Sequence, residues 1–234
     1  MEMSVIYANK QVNIRFWRGS CKVPIENQAN MLTTRVESIL YYAEPFLTSE
    51  HRAGWIGGNA PEFFDDQSEL IHEGNQKYAF YLSLNHPFKP ESMISIFIPE
   101  NRESYLENNI YPDCSIKVIE HPVSAESIQG SFTHKDLIRH SISHGERSMD
   151  EESMEQPFLI KVGGNPRLIQ DEDYYFAELK KESLSFFFQV DEDGYPDTLI
   201  QEDGNYPFGF GSLYIFAKMD TEIEHPVAGF CQFS

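Results

Sequence analysis

The sequence predicts a sheet-rich fold with a few helices, built as two internally duplicated halves that pack together. Three observations point there. Phenylalanine and tyrosine are abundant, with 18 and 12 copies, and aromatic side chains pack well on a pleated surface. Gly-Gly-Asn occurs twice, at 57–59 and 163–165. The segments that follow each copy match at nearly constant offsets.

In chain order, "SVIYANKQVNIRFWRG" (4–19) reads as two short strands around a polar Ala-Asn-Lys turn. "NMLTTRVESILYYAEPFL" (30–47) carries apolar Met31, Leu32, Val36, Ile39, Leu40 and Ala43. That spacing suits one helix face, with Pro45 as its stop or kink. After the first Gly-Gly-Asn comes "YAFYLSLN" (78–85). A step of 106 residues lands on "LSFFFQVD" (184–191), with Phe80 on Phe186, Tyr81 on Phe187, Leu82 on Phe188 and Leu84 on Val190. Each run is short, aromatic and flanked by polar turns, so each reads as a buried strand. "ISIFIP" (94–99) resembles "LYIFAK" (213–218) at an offset of 119, so the second copy holds 13 extra residues within "GYPDTLIQEDGNYPFGFG". "IEHPV" occurs identically at 119–123 and 223–227. Two copies are too few for a solenoid; they suit two halves related by a pseudo-two-fold axis. The expected organisation is a first half over 1–133 and a polar linker over 134–156 whose first part has helical spacing. The second copy covers 157–234.

The second copy carries a family resemblance. "KVGGNPRLIQDEDYY", "LSFFFQVDEDGYP" and "GFGSLYIFAK" resemble the YwqG-like family of bacterial proteins. The matching positions are Gly163, Gly164, Pro166, Ile169, Gln170, Gln189, Asp191, Gly211 and Phe216. The first half fits loosely: Ala60 precedes Pro61, and Ser83 stands where Gln189 stands. The resemblance implies an α+β fold of mainly antiparallel sheet with a duplicated core. It implies no activity, and by association only it suggests an immunity-like role.

Composition bounds the function. The net charge of −19 argues against affinity for nucleic acid, whose phosphates would repel the chain. It is compatible with a basic protein partner, because opposite fields steer association. The charge is uneven: 10 Lys and Arg face 16 Asp and Glu over residues 1–124, against 8 and 21 beyond. Cys21, Cys114 and Cys231 form no Cys-x-x-Cys pair, so free thiols in a cytoplasmic protein are expected. The first residues lack the pattern of a signal peptide, and no apolar run is long enough to cross a bilayer as a helix.

Candidate chemistry is sparse. Neither Gly-Gly-Asn copy has the lysine and hydroxyl of a phosphate-binding loop, so the glycines are read as turn residues. If helical, Asp136, His140 and His144 would share a face at metal-ligand spacing, but a solvated segment is the expectation. His121 and His225 recur in Glu-His-Pro, where an acid/base pair stands against a structural role. Asp191, Glu192, Asp193, Asp197, Glu202 and Asp203 gather in one stretch without EF-hand spacing. The candidate cleft or partner-binding residues are therefore Gln170, Gln189, Asp191, Asp193, His121 and His225. No catalytic residue, metal site or cofactor is assigned. The expected activity is binding, to a basic protein partner. The alternative is an enzyme or small-ligand binder with a cleft between the halves.

Overall fold

The computed structural model describes residues 35–48, 51–219 and 223–234. The hairpin expected over 4–19, the start of the expected helix and Cys21 lie outside them. Over the described residues the fold is α+β, mostly antiparallel sheet with three short helices. The strands are β1 (Glu37–Tyr41), β2 (Ala43–Glu44), β3 (Arg52–Ile56), β4 (Tyr78–Asn85), β5 (Ser92–Pro99) and β6 (Lys117–Pro122), then β7 (His140–Ser143), β8 (Glu146–Met149), β9 (Ile160–Gly163), β10 (Leu184–Asp191), β11 (Ser212–Met219) and β12 (Ile223–Gln232). The helices are α1 (Arg102–Glu107), α2 (Asp150–Ser153) and α3 (Ala177–Lys181). One six-stranded sheet has the order β2-β7-β3-β4-β5-β6 and the other β8-β1-β9-β10-β11-β12.

The two orders correspond strand for strand, with one exchange. By sequence β1 belongs to the first half, yet it lies between β8 and β9 in the second sheet. Conversely β7, from the second half of the chain, lies between β2 and β3 in the first. The registers correspond too. Ile56 faces Leu82 and Val162 faces Phe188, both pairs shifted by 106. Phe80 faces Phe97 and Phe186 faces Phe216, and a bulge follows in both strands, between Phe80 and Leu82 and between Phe186 and Phe188. The bulge turns two successive side chains, Phe187 and Phe188, into the same core.

Three expectations are corrected. Residues 37–41 form a strand, not a helix: Ile39 and Tyr41 pack into the main core while Leu40, also buried, faces the other way. A strand buried on both faces reads as a near-continuous apolar run, which mimics a helical spacing. The segment 134–156 is no mere linker, because it supplies β7, β8 and α2. Its polar residues can be buried because they are bonded: His140 Nε2 meets Thr198 Oγ1 at 2.8 Å, and Arg139 donates to Ser141 Oγ at 2.7 Å. Finally, the identical Ile-Glu-His-Pro-Val stretches are not at corresponding places. Strand pairing sets Ile119 opposite Ser95 and Phe230 opposite Tyr214, so the pentapeptides sit seven residues out of step.

The main core lies between the sheets and draws Leu82, Leu84, Ile94 and Ile96 from one, and Phe188, Val190, Leu213 and Ile215 from the other. Burying each such side chain contributes about 1.5–3 kcal/mol. Tyr81 and Tyr195 share a buried hydrogen bond of 2.5 Å across it. Two smaller cores cover the outer faces. Phe64 and Ile71, from the 3-10 turns at Glu62–Asp65 and their surroundings, pack on Phe80 and Phe97. Tyr175 and Leu179 pack on Phe186, Tyr214, Phe216 and Phe230. The free edge of β12 is paired with residues 109–111: Tyr111 N–H donates to Gly229 O at 2.7 Å and Cys231 N–H to Asn109 O at 2.9 Å, which removes an exposed edge.

Candidate functional site

Both Gly-Gly turns have left-handed backbone, with φ of 65° and 72° at Gly57 and Gly58, and 76° and 64° at Gly163 and Gly164. Side chains rarely tolerate that region, whereas glycine does. Each turn also aims the next N–H at a carboxylate of the same chain. Asn59 N–H donates to Glu126 Oε1 at 3.1 Å, and Asn165 N–H to Asp150 Oδ2 at 3.1 Å. Space is tight: a Cβ on Gly58 would lie 2.5 Å from Glu126 Oε1, and one on Gly164 1.9 Å from Asp150 Oδ1. Successive N–H groups of this kind bind anions. Here the anion is the protein's own, and each is paired with a cation: Arg139 Nε on Glu126 at 3.1 Å and Lys161 Nζ on Asp150 at 2.6 Å. A phosphate would have to displace a carboxylate already held.

Lys161 has no exposed surface. Burial lowers its pKa, and the hydrogen bond that it donates to Asp150 opposes that. The same ammonium donates to Asn165 O. Breaking such a buried pair leaves an uncompensated charge.

Beyond this turn, residues 167–170 are bonded to the outer face of the second sheet by side chains that imitate a strand. Gln189 Oε1 accepts from Arg167 N–H at 2.8 Å, and Gln189 Nε2 donates to Arg167 O at 3.0 Å and to Asp191 at 3.0 Å. Gln232 Oε1 accepts from the N–H groups of Ile169 and Gln170 at 2.9 and 3.1 Å, and its Nε2 donates to Gln170 O at 2.7 Å. The Arg167 guanidinium meets Asp191 at 2.8 Å and Asp193 at 3.6 Å, and lies over Phe158 at 4.4 Å. Four of the sequence candidates, Gln170, Gln189, Asp191 and Asp193, are thus brought together.

The other two are elsewhere. His121 lies on the outer face of the first sheet, where Ser83 Oγ bonds Ser95 Oγ and Ser95 Oγ meets His121 Nε2 at 2.7 Å. His121 Nδ1 donates to Pro122 O at 2.8 Å, so Nε2 is the acceptor. Burial lowers the pKa of this ring, which stacks on Phe63 at 5.0 Å and meets Phe64 edge-on. A hydroxyl on a neutral imidazole is the start of a nucleophile, but Ser95 has no exposed surface, so a substrate cannot reach it. His225 is exposed in β12, with φ of 51°. The histidines and glutamines therefore do not line a common cleft.

Sequence reading missed Asp150, Lys161, Arg167 and Gln232. Lys161 had a signal: a lone charge inside the apolar run "FLIKVGG". The set Asp136, His140 and His144 is not helical; His140 is in β7, and the His134 ring accepts from Asp136 N–H at 3.2 Å. Among the described residues no three His, Cys, Asp or Glu are grouped to hold a metal ion. Burial pushes the Cys114 thiol up to about 12 and Cys231 well above its ordinary value, so neither is a thiolate at neutral pH. No family model, curated protein or solved structure matches this chain.

Proposed function

We propose that this chain works by binding, presenting the acidic outer side of its second sheet to a basic surface on a protein partner. The observation that carries this reading is the gathering of carboxylates about the 165–173 segment. Glu151, Glu152, Asp171, Glu172, Asp173 and Asp193 are all exposed; of the cations among them, Arg167 is held by Asp191 and reaches Asp193 at 3.6 Å, and Lys180 stands 3.9 Å from Asp173. A face on which one sign is in excess steers a partner of the other. Support also comes from how the polar interior is used. Among the described residues, Ser38 Oγ and His86 Nε2 are the buried side-chain N and O atoms without a partner, so surface charge is the resource left for recognition. His121 and His225 lie away from Gln170 and Gln189, so the candidate residues do not line one cleft between the halves, which favours a surface over chemistry in such a cleft.

The same reading takes the two sheets as copies of one ancestral unit, supported by the constant offsets and the matching bulge. The free thiols of Cys114 and Cys231 suit a reducing, cytoplasmic setting. The resemblance to YwqG-like proteins adds an immunity-like role, in which the partner is a basic toxin.

The test is to capture the partner from native cells and measure its affinity as salt rises. Affinity should fall on the order of tenfold or more as the Debye length shrinks. Glu151→Gln, Glu152→Gln, Asp171→Asn, Glu172→Gln and Asp173→Asn together should abolish capture. Glu62→Gln, Asp66→Asn and Glu69→Gln, on the first half, should leave it intact. An affinity indifferent to salt and to the first set sinks the proposal.

A further inference from the structure

A cleft of roughly 400 Å³ opens where the first half, residues 133–136 and the loop inserted in the second half meet. It is separate from the acidic face. Its floor is apolar and fixed: Tyr105 and Pro207 are buried, and the Tyr105 hydroxyl donates to Pro207 O at 2.9 Å. Around this floor stand Glu100 and Arg102, close in sequence, and Lys135 and Asp136, adjacent in sequence.

None of these four charges belongs to an ion pair among the described residues. Elsewhere eight described lysines and arginines each hold a carboxylate, while Arg35, Arg52, Lys77 and Lys218 hold none among the described residues. What sets Arg102 and Lys135 apart is that they stand with Glu100 and Asp136 around one cleft. Two unpaired cations beside two unpaired carboxylates, around one concavity, are arranged for a ligand that supplies both charges.

We propose that this cleft binds a small zwitterion with an apolar body, of the class of a short hydrophobic peptide. Its carboxylate pairs with Arg102 and Lys135, its ammonium with Glu100 and Asp136, and its side chains cover Tyr105 and Pro207. A polyanion would meet Glu100 and Asp136, and a polycation would meet Arg102 and Lys135, so each is disfavoured by the opposite pair. The volume lies within the range of small-molecule sites.

Calorimetric titration of the full chain with L-leucyl-L-leucine, N-acetyl-L-leucine and L-leucinamide tests this. The dipeptide should bind, and each capped probe should bind at least about tenfold more weakly, the loss of one charged contact. Arg102→Gln and Glu100→Gln, both exposed, should each weaken the dipeptide by a similar factor with an unchanged circular dichroism spectrum. Equal affinity for a capped probe would show a site for one charge only and overturns the proposal. So does absence of dipeptide binding up to about 10 mM, an affinity too weak for recognition. Neither result touches the acidic face, whose test reads a different set of variants.

Discussion

The outer faces of the two sheets place different chemistry at corresponding strand positions. Ser83, Ser95 and His121 stand on the first; the registers set Gln189, Tyr214 and Gln232 in their places on the second. On the first face short side chains bond one another, and Phe63 and Phe64 close over them. On the second, two long amides reach outward and hold residues 167–170. One frame therefore serves two ends. It buries an aromatic cap on one side, and on the other it fixes the stretch that leads into the acidic loop at 171–173.

The contrast is sharpest at Lys161, whose counterpart in register is Trp55. Lys161→Ala strands Asp150 in a buried turn and should cost about 3–5 kcal/mol by urea unfolding. Adding Asp150→Asn should restore part of that, since an amide can still serve the turn without a buried charge. Trp55→Ala should cost a similar 3–5 kcal/mol through cavity formation, with no rescue from any change of charge. If Lys161→Ala costs under about 1 kcal/mol, the pair is not what holds the second turn.

The glycine turns come next. Gly164→Ala should cost about 2–3 kcal/mol, combining left-handed strain with a clash against the fixed Asp150 carboxylate. Gly58→Ala should cost about 1–2 kcal/mol, because its neighbours are the flexible Arg139 stem and Glu126 tip. Equal losses in thermal or urea unfolding would mean that the two cradles grip alike.

What was legible follows from the range of the interactions. The strands β4, β5, β10 and β11 announce themselves through aromatic runs, because their partners lie close in sequence. Gln189 and Asp191 were found because they end such a strand. The roles of β1 and β7 were hidden because their neighbours come from the opposite half of the chain. The polar β7 buries His140 against Thr198, 58 residues further along the chain, and no local pattern encodes that. Gln232 is hidden because the repeated pentapeptide suggests a register that the strands do not use. Asp150 sat in a segment that reads as solvated; its burial depends on Lys161 and Asn165 arriving from beyond α2.

Smaller effects separate the amides from the hydroxyls. Gln232→Leu should cost about 1–3 kcal/mol, leaving the N–H groups of Ile169 and Gln170 without an acceptor. Hydrogen exchange at those two amides should quicken while the sheet amides keep their protection. Ser83→Ala removes a single bond to Ser95 and should cost about 0.5–1.5 kcal/mol, with no local exchange signature at 167–170. Unchanged exchange in Gln232→Leu would show that the segment is held by something other than the amide side chains.

The least visible difference is one of slope against pH. In the first half, burial lowers His86 to about 4 from an ordinary 6.5; its Nδ1 accepts from the N–H groups of Phe88 and Lys89 at 3.2 and 3.1 Å. In the second half, burial raises Glu192 to about 7 from 4.5, although it accepts from Phe208, Phe210 and Gly211 N–H. A lowered histidine favours the neutral fold: its contribution is whole above 6.5 and is lost as pH falls toward 4. A raised carboxyl favours the protonated fold: its contribution is whole below 4.5 and is lost as pH rises through 7. The two windows overlap and their slopes oppose, so each hides the other in the native protein. Relative to it, His86→Asn should make stability fall more steeply as pH rises from 4.5 to 6.5. Glu192→Gln should do the reverse over 4.5 to 7. Urea midpoints measured across that range decide it, and two variants with the native slope would mean that neither group titrates differently when folded.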